Sequence, residues 1–332
     1  MKPVLKCCLL AVLVMASALT GCAPARPAPD AVTVQLSWFH TVEFAGFYAA
    51  VEKGYYRDEN LAVTLLPGGP TIDPVQSVAD GTAQLAVTPG DTVLRARAAN
   101  TLVTAIMTIY RRSPLVVMSL PDSGIQRPQD LVGKTIGVIS DKLDSTWDIQ
   151  FLALLKQLGL DAQTMKFVAI QDYNGANELT SGRVQAASGF FAVNEPVQAK
   201  LAGVETNLIF YGDYGIEVYA NALIARDDLL TSQSDVVQRF VRATLKGYQY
   251  ALQHPAEAAE FALKFDPALD VKLQTATMLG QLPLIDSGDG AIGSMDLAVW
   301  QSTQAALLKQ GLLSEPLNLE AAFTNRFVIP AQ

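Results

Sequence analysis

Few residues in this 332-residue chain have the types needed for chemistry, and most of them are aromatic or acidic. There are two histidines, His40 and His254, and three cysteines, Cys7, Cys8 and Cys22. A zinc-type ligand cluster, a thiol nucleophile or a serine–histidine–aspartate relay has almost nothing to be built from. No catalytic centre, metal or cofactor is therefore expected. What stands out instead is the run Ser37-Trp38-Phe39-His40. A tryptophan in a loop is a platform for stacking a flat ligand, with about 0.5–1.5 kcal/mol available beyond area burial; the alternative is an ordinary core side chain. His40 either hydrogen-bonds a ligand or caps its own loop. Glu195, just before Pro196, either opens a helix, whose first turn favours acids, or offers a carboxylate to the N–H groups of a ring, with Asn194 beside it. Asp91 is a second helix-start acid and reads first as a cap. Tyr110, Tyr214 and Tyr219 complete the candidates, each able to face a cleft or to pack a hinge. Pro67-Gly68-Gly69-Pro70 permits close backbone approach but lacks the Lys-Ser/Thr ending of a phosphate loop, which argues against nucleotide hydrolysis.

These residues need elements to hold them. Residues 32–36 alternate and are β-branched, which predicts a strand, and residues 44–53 predict a helix ended by Gly54. Residues 37–40 then lie at the carboxyl end of a strand, the rim where open α/β sheets bind ligands. The alternation continues with strands predicted at 62–66, 84–88, 103–110, 115–119, 134–139, 165–170, 186–191, 207–211 and 218–225, and with helices between many of them. That order predicts an α/β fold with mostly parallel sheet. Further helices are predicted at 235–253, 256–265 and 296–310, the first from a clear apolar stripe. An internal echo suggests two similar lobes: Gly81, Gln84 and Ala86 align with Gly182, Gln185 and Ala187, each set spanning a helix end, a Gly turn and a strand.

The length suits two lobes rather than one small core. A net charge of −8 argues against nucleic acid, whose phosphates need a basic face. At the amino terminus, Lys2 and Lys6 precede an apolar stretch over residues 7–19, then Leu19-Thr20-Gly21-Cys22. This is the pattern of a bacterial lipoprotein signal, with residues 1–21 removed and Cys22 acylated. Each buried acyl CH₂ contributes roughly 0.8 kcal/mol, so several chains anchor firmly. Residues 22–31 form a Pro/Ala-rich tether, and the globule is expected outside the cytoplasm, held to a membrane through the lipid.

The run over residues 36–56, together with Leu131-Val-Gly-Lys-Thr-Ile-Gly-Val138, resembles the periplasmic solute-binding proteins of ABC importers. More narrowly it is similar to the group that binds thiamine-pyrimidine precursors, which includes riboflavin-binding lipoproteins and a fungal pyrimidine synthase. Arg112-Ser-Pro114, Asp122-Ser-Gly-Ile125 and Asp213-Tyr-Gly-Ile216 resemble the riboflavin-binding members. The resemblance implies a type II binding-protein fold, two α/β lobes joined by two crossover segments and closing like a hinge. On that plan residues 32–117 and 218–332 form lobe 1 and residues 118–217 lobe 2. It further implies a flat heteroaromatic solute held by stacking on Trp38, with Glu195 of the second lobe taking a ring hydrogen. The implied partners are an ABC permease and a separate ATPase chain, with the receptor itself a monomer. A synthase reading needs a histidine donor and, in the fungal pattern, a cysteine-rich segment. Receptors for alkylsulfonate- or nitrate-type solutes are the remaining alternative.

Overall fold

Among the described residues, the alternating, β-branched runs form two sheets of five strands each. The structure, a computed structural model, describes residues 27–171 and 175–328. The expected signal and the expected lipidation position, Cys22, lie outside the described residues. The strands are β1 (Asp30–Gln35), β2 (Leu61–Leu66), β3 (Leu85–Thr88), β4 (Val103–Thr108), β5 (Leu115–Ser119), β6 (Thr135–Val138), β7 (Lys166–Ala169), β8 (Ala186–Phe191), β9 (Asn207–Phe210) and β10 (Ala222–Arg226). The first sheet has the order β2-β1-β3-β10-β4 and the second β7-β6-β8-β5-β9. In each, the three strands at one end are parallel. The fourth strand runs antiparallel to both its neighbours.

That fourth strand is exchanged between the sheets. β5 follows β4 in the chain but pairs only in the second sheet, between β8 and β9. β10 follows β9 but returns to the first sheet, between β3 and β4. The chain therefore crosses between lobes at residues 109–114 and again at 211–221. A division after residue 117 would cut β5, so the boundary falls earlier than the sequence suggested. The strand expected from residue 218 begins at Ala222, because residues 218–221 are still crossing.

The internal echo has a structural counterpart. β3 and β8 hold the same place in their sheets, and the same two hydrogen bonds fix each one's entry. Gln84 accepts from the Thr33 N–H at 2.8 Å and donates its own N–H to the Thr33 carbonyl. Gln185 does the same with Thr135, at 2.9 Å.

Lobe 1 is backed by the amphipathic helix Ser234–Gln253, which buries Val237, Phe240, Val241 and Tyr248 against helix Ala45–Glu52. A fully buried Phe such as Phe47 or Phe240 contributes roughly 1.5–3 kcal/mol. Tyr48 stacks on Phe265 of helix Pro255–Phe265, with centroids 4.4 Å apart. Helix Val271–Ile285 had no counterpart in the sequence reading. Its buried Gln274 accepts from the Val42 N–H at 2.7 Å, and Gln281 donates to the Val42 carbonyl at 2.8 Å, so the helix clamps the turn after β1. No helix among the described residues is long and apolar enough to cross a membrane.

Candidate ligand-binding site

The turn after β1 is held from three sides. From below, the Gly68 N–H donates to the Trp38 carbonyl at 2.8 Å. A Cβ on Gly68 would come within 2.3 Å of the Leu36 carbonyl oxygen, so no other residue lets the Pro67–Pro70 loop lie so close. From the crossing segment, buried Asn221 donates to Glu43 at 2.6 Å and lies 3.5 Å from the Ser37 hydroxyl. Helix Val271–Ile285 supplies the third side.

Opposite stands the second lobe's rim. After β6 the chain enters helix Thr146–Gln157, which brings Trp147 to the gap. Gly189, in β8, has φ of +81°, and a Cβ there would press on Trp147 at 3.3 Å and Ile139 at 3.4 Å. After β8 comes helix Glu195–Leu201, with Asn194 just before it. Trp38 and Glu43 from lobe 1, and Trp147, Phe191, Asn194 and Glu195 from lobe 2, border one cavity between the lobes. The lobes are drawn together: the free space is about 30 Å³, enough for a water or two rather than a ring system. Admitting a heterocycle requires the lobes to part.

Two carboxyls meet in this gap, one from each lobe, Glu43 buried and Glu195 half-buried. Burial pushes Glu43 up to about 7, against the pull of its hydrogen bonds from Asn221 and Asn194. The Asn194 bond already spans the lobes. Burial likewise pushes Glu195 up to about 7, assisted by the charge of Glu43 and opposed by the Phe191 N–H, which donates to it at 2.9 Å. Both therefore change charge near neutrality. A second bond between lobes lies behind them: Gln150 donates to Asp91 at 2.9 Å, with both residues buried. Arg95 also contacts Asp91 at 3.5 Å, but burial outweighs it and raises the Asp91 carboxyl.

A tryptophan and a glutamate from each lobe thus border the gap. The family described as NMT1/THI5 like matches residues 41–258. The chain belongs to that family. The riboflavin-binding protein RibY of Chloroflexus aurantiacus is 31% identical, over 92% of this chain and 89% of that protein. The formylaminopyrimidine-binding protein of Halalkalibacterium halodurans is 28% identical over 96% of each. A relative from Legionella pneumophila, 23% identical over 90% of this chain and 92% of that protein, is named a 4-amino-5-hydroxymethyl-2-methylpyrimidine phosphate synthase. In fold, the alkanesulfonate-binding protein SsuA of Xanthomonas axonopodis pv. citri, bound to MOPS, superposes with a TM-score of 0.66 at 16% identity, over 90% of this chain and 99% of that one. The fold is thus the two-lobed binding-protein fold that the resemblance implied.

Within this family member, the structure gathers some of the sequence candidates and separates others. Trp38, Asn194 and Glu195 share the cavity, and Ser37 lies on its outer flank. Phe39 packs edge-on against Trp38 at 5.3 Å and is 46% exposed. His40 turns to the back of lobe 1, where its Nδ1 lies 3.1 Å from the Tyr48 hydroxyl and its ring packs on Phe265. Burial lowers its pKa, with Asp266 opposing. Tyr110 is buried in the hinge, its hydroxyl donating to Gln281 at 2.7 Å and its ring meeting Phe191 edge-on. Asp91 joins the lobes but does not border the cavity, so it is more than the cap its position suggested. Tyr214 sits in the short turn Gly212–Tyr214, packed on the core, and Tyr219 is buried against Trp300, accepting from the Asp296 N–H at 2.5 Å. Neither borders the cavity. Glu43 and Trp147 were missed. Glu43 is the lone acid in an apolar stretch, Val42-Glu43-Phe44-Ala45, and that isolation was the available signal.

Proposed function

We propose that this chain is the lipid-anchored receptor of an ABC importer and captures a planar heteroaromatic vitamin or vitamin precursor by hinge closure. The observation that supports it most is the pairing across the gap: one Trp and one Glu from each lobe. The aromatic rings take the ring faces, and the carboxylates take its N–H groups. Such a ligand stabilises the closed form because only there does it touch both lobes. Riboflavin, with its imide N–H, and aminopyrimidines, with their amino groups, both have the required chemistry. The names of two relatives, covering 92% and 96% of this chain, agree with these two classes. Export, acylation at Cys22 and service by a separate permease and ATPase complete the reading, with the receptor acting as a monomer.

Two alternatives have less support. A sulfonate or nitrate would face two carboxyls that ionise near neutrality, and like charges repel. A synthase needs a histidine donor, and His40 is engaged with Tyr48 and Phe265 away from the cavity.

Titrating the purified chain with riboflavin and with aminopyrimidines, reading tryptophan fluorescence, tests the proposal. One class should quench saturably and Trp38→Ala should weaken its binding. Silence toward every flat heterocycle would overturn it.

A further inference from the structure

The two segments that cross between the lobes carry motifs the cavity does not use, Arg112-Ser-Pro114 and Asp213-Tyr-Gly-Ile216. Hydrogen bonds show how far each lobe holds them. In the first segment the Ile109 N–H donates to the Asn221 carbonyl at 2.8 Å, and the Arg111 N–H to the Leu284 carbonyl at 2.7 Å, so lobe 1 holds it through Arg111. The Pro114 carbonyl already accepts from the Ala192 N–H of lobe 2 at 2.8 Å. Arg112 and Ser113 lie between, and the buried Ser113 hydroxyl has no partner among the described residues. In the second segment the Tyr211 N–H donates to the Leu115 carbonyl at 3.1 Å and the Ile216 N–H to the Tyr211 carbonyl at 3.2 Å, so the turn through Ile216 stays with lobe 2. Lobe 1 takes over at Glu217, whose carbonyl accepts from the Thr303 hydroxyl at 3.2 Å, and at Tyr219, whose carbonyl accepts from the Gly90 N–H at 2.8 Å. The Ser302 hydroxyl reaches the Gly215 carbonyl only at 3.5 Å. The chain thus passes from one lobe's hold to the other's within Arg112-Ser113 and at the Ile216-Glu217 peptide.

One loop of lobe 1 fastens the near ends of both segments. Residues 286–296 wrap the buried Arg111 guanidinium. It donates to the Ser287 hydroxyl at 3.0 Å, the Ser294 carbonyl at 3.3 Å, and the Asp289 and Asp296 carboxylates, the last at 2.8 Å. A Cβ on Gly290 would stand 2.6 Å from the guanidinium, so the loop lies directly against it. Asp296 also donates its N–H to the Tyr219 hydroxyl at 2.5 Å, which ties the second segment to the end of the same loop. The Arg112 side chain reaches Asp289 as well, but both are exposed, so that bond yields easily. A planar fork of N–H donors meets four oxygens around it at once, which a lysine ammonium cannot. Two segments fastened side by side define an axis. Freeing one of them adds twist and shear, and facing walls then meet out of register, whereas tight binding needs walls held in place beforehand.

We infer that Arg111 is a positioning residue for closure. Its clasp by residues 286–296 confines bending to Arg112-Ser113 and Ile216-Glu217, so the lobes turn about one axis and Trp38 and Glu43 meet Trp147 and Glu195 in register. This rests on the reading of the chain as a receptor that closes on its ligand, and it gives that motion its pivot.

The first arm of the test needs no ligand. Amide hydrogen exchange is read residue by residue on the unliganded full chain, for the parent, Arg111→Ala, Arg111→Lys and a control, Arg97→Ala. Arg97 makes a comparable ion pair in lobe 1, with Asp227 at 3.1 Å and a bond to the Val103 carbonyl at 2.8 Å, at the far end of β4 and β10 from the crossing. In the parent, the Arg111 amide should exchange about tenfold or more slowly than those of Arg112 and Ser113. Arg111→Ala should speed exchange at residues 109–111 and 217–219 about tenfold, and Arg97→Ala should not, although it too lowers the melting temperature. The second arm titrates the same proteins with riboflavin and with an aminopyrimidine. Whichever the parent binds should lose about fivefold in affinity in Arg111→Ala and stay within about twofold in Arg97→Ala. Millimolar guanidinium chloride should recover most of that loss in Arg111→Ala, because the ion fits the vacated clasp, and none in Arg111→Lys. Asp296→Asn loosens the clasp from its exposed side and should show a smaller loss of the same kind, which carries the test if Arg111→Ala does not fold. Fast exchange confined to residues 286–296 would overturn the inference, since Arg111 would then fasten only its own loop. An equal loss of affinity in Arg97→Ala would overturn it in favour of general destabilisation. Binding of neither ligand by the parent would count against the receptor reading, and the exchange arm then decides the pivot alone.

Discussion

The two lobes are the same frame filled differently. Each sheet has three parallel strands and an exchanged antiparallel fourth, and each third strand is entered through a Gln that bonds the first strand. Each lobe places one acid in or just after its first strand–helix turn and another at the helix start after its third strand. In lobe 1 these are Glu43 and Asp91, and in lobe 2 Asp148 and Glu195. The roles are crossed. Asp148 is consumed by its own loop, accepting from the Ile139 N–H at 2.9 Å and the Ser140 N–H at 2.8 Å. Asp91 is consumed by Arg95 and by the latch to Gln150. That leaves one acid per lobe facing the gap, from non-equivalent positions. A duplicated frame thus yields a site with two unlike jaws, suited to a ligand whose two edges differ.

The comparison breaks most sharply at the aromatics. If the jaws share a ring, Trp38→Ala and Trp147→Ala should each weaken binding by about 30-fold or more, as truncating a central aromatic anchor does. Their double variant should lose less than the sum, because both touch one ligand. Calorimetry on the four proteins settles this. If only one tryptophan matters, the site belongs to a single lobe.

Next come the acids. Glu43→Gln and Glu195→Gln should each cost about tenfold in affinity, while Asp148→Asn should chiefly lower thermal stability, since its carboxylate bonds only its own loop. Both cavity carboxyls are raised to about 7 in the free chain. A ring N–H bonding the charged form pulls those values down. Affinity should then rise with pH up to about 7 and level off above, with proton release on binding below that point. The unliganded chain should show the opposite trend. Raised carboxyls favour the folded form most below the ordinary value, so their contribution is lost as pH climbs through about 7. Melting temperature and affinity measured across this range should therefore move in opposite directions.

The latch gives a smaller effect. Gln150→Ala leaves Asp91 buried with one partner fewer, which should speed ligand release about fivefold with little change in association. Smallest of all is His40→Ala. Its ring faces Tyr48 and Phe265, so ligand affinity should stay within about twofold while stability falls.

What the sequence made legible followed from local signals. Trp38 could be found because a large aromatic after a β-branched run has to lie at a strand's carboxyl rim. The two-lobe plan showed in the Gly81/Gly182 echo. Glu195 took on a role only through family resemblance, since an acid before a proline is ordinary at a helix start. Glu43 was hidden because one acid beside Phe44 and Ala45 reads as a first-turn residue, and only the bond to Asn221, 178 positions away, shows where it points. Trp147 was hidden because a Trp opening a helix reads as core. Helix Val271–Ile285 was lost because its apolar residues form no clear stripe and Pro283 lies inside it, as suits an element packed on both lobes. The exchange of β5 and β10 depends on pairing between distant segments, which no local pattern records.

The most direct test is a crystal structure of the chain with riboflavin or an aminopyrimidine bound. The account predicts the ring between Trp38 and Trp147, with the imide N–H of riboflavin on Glu43 or Glu195, or the amino N–H groups of a pyrimidine on these carboxylates. A ligand seated against one lobe alone, or with its ring turned away from both carboxylates, would contradict it.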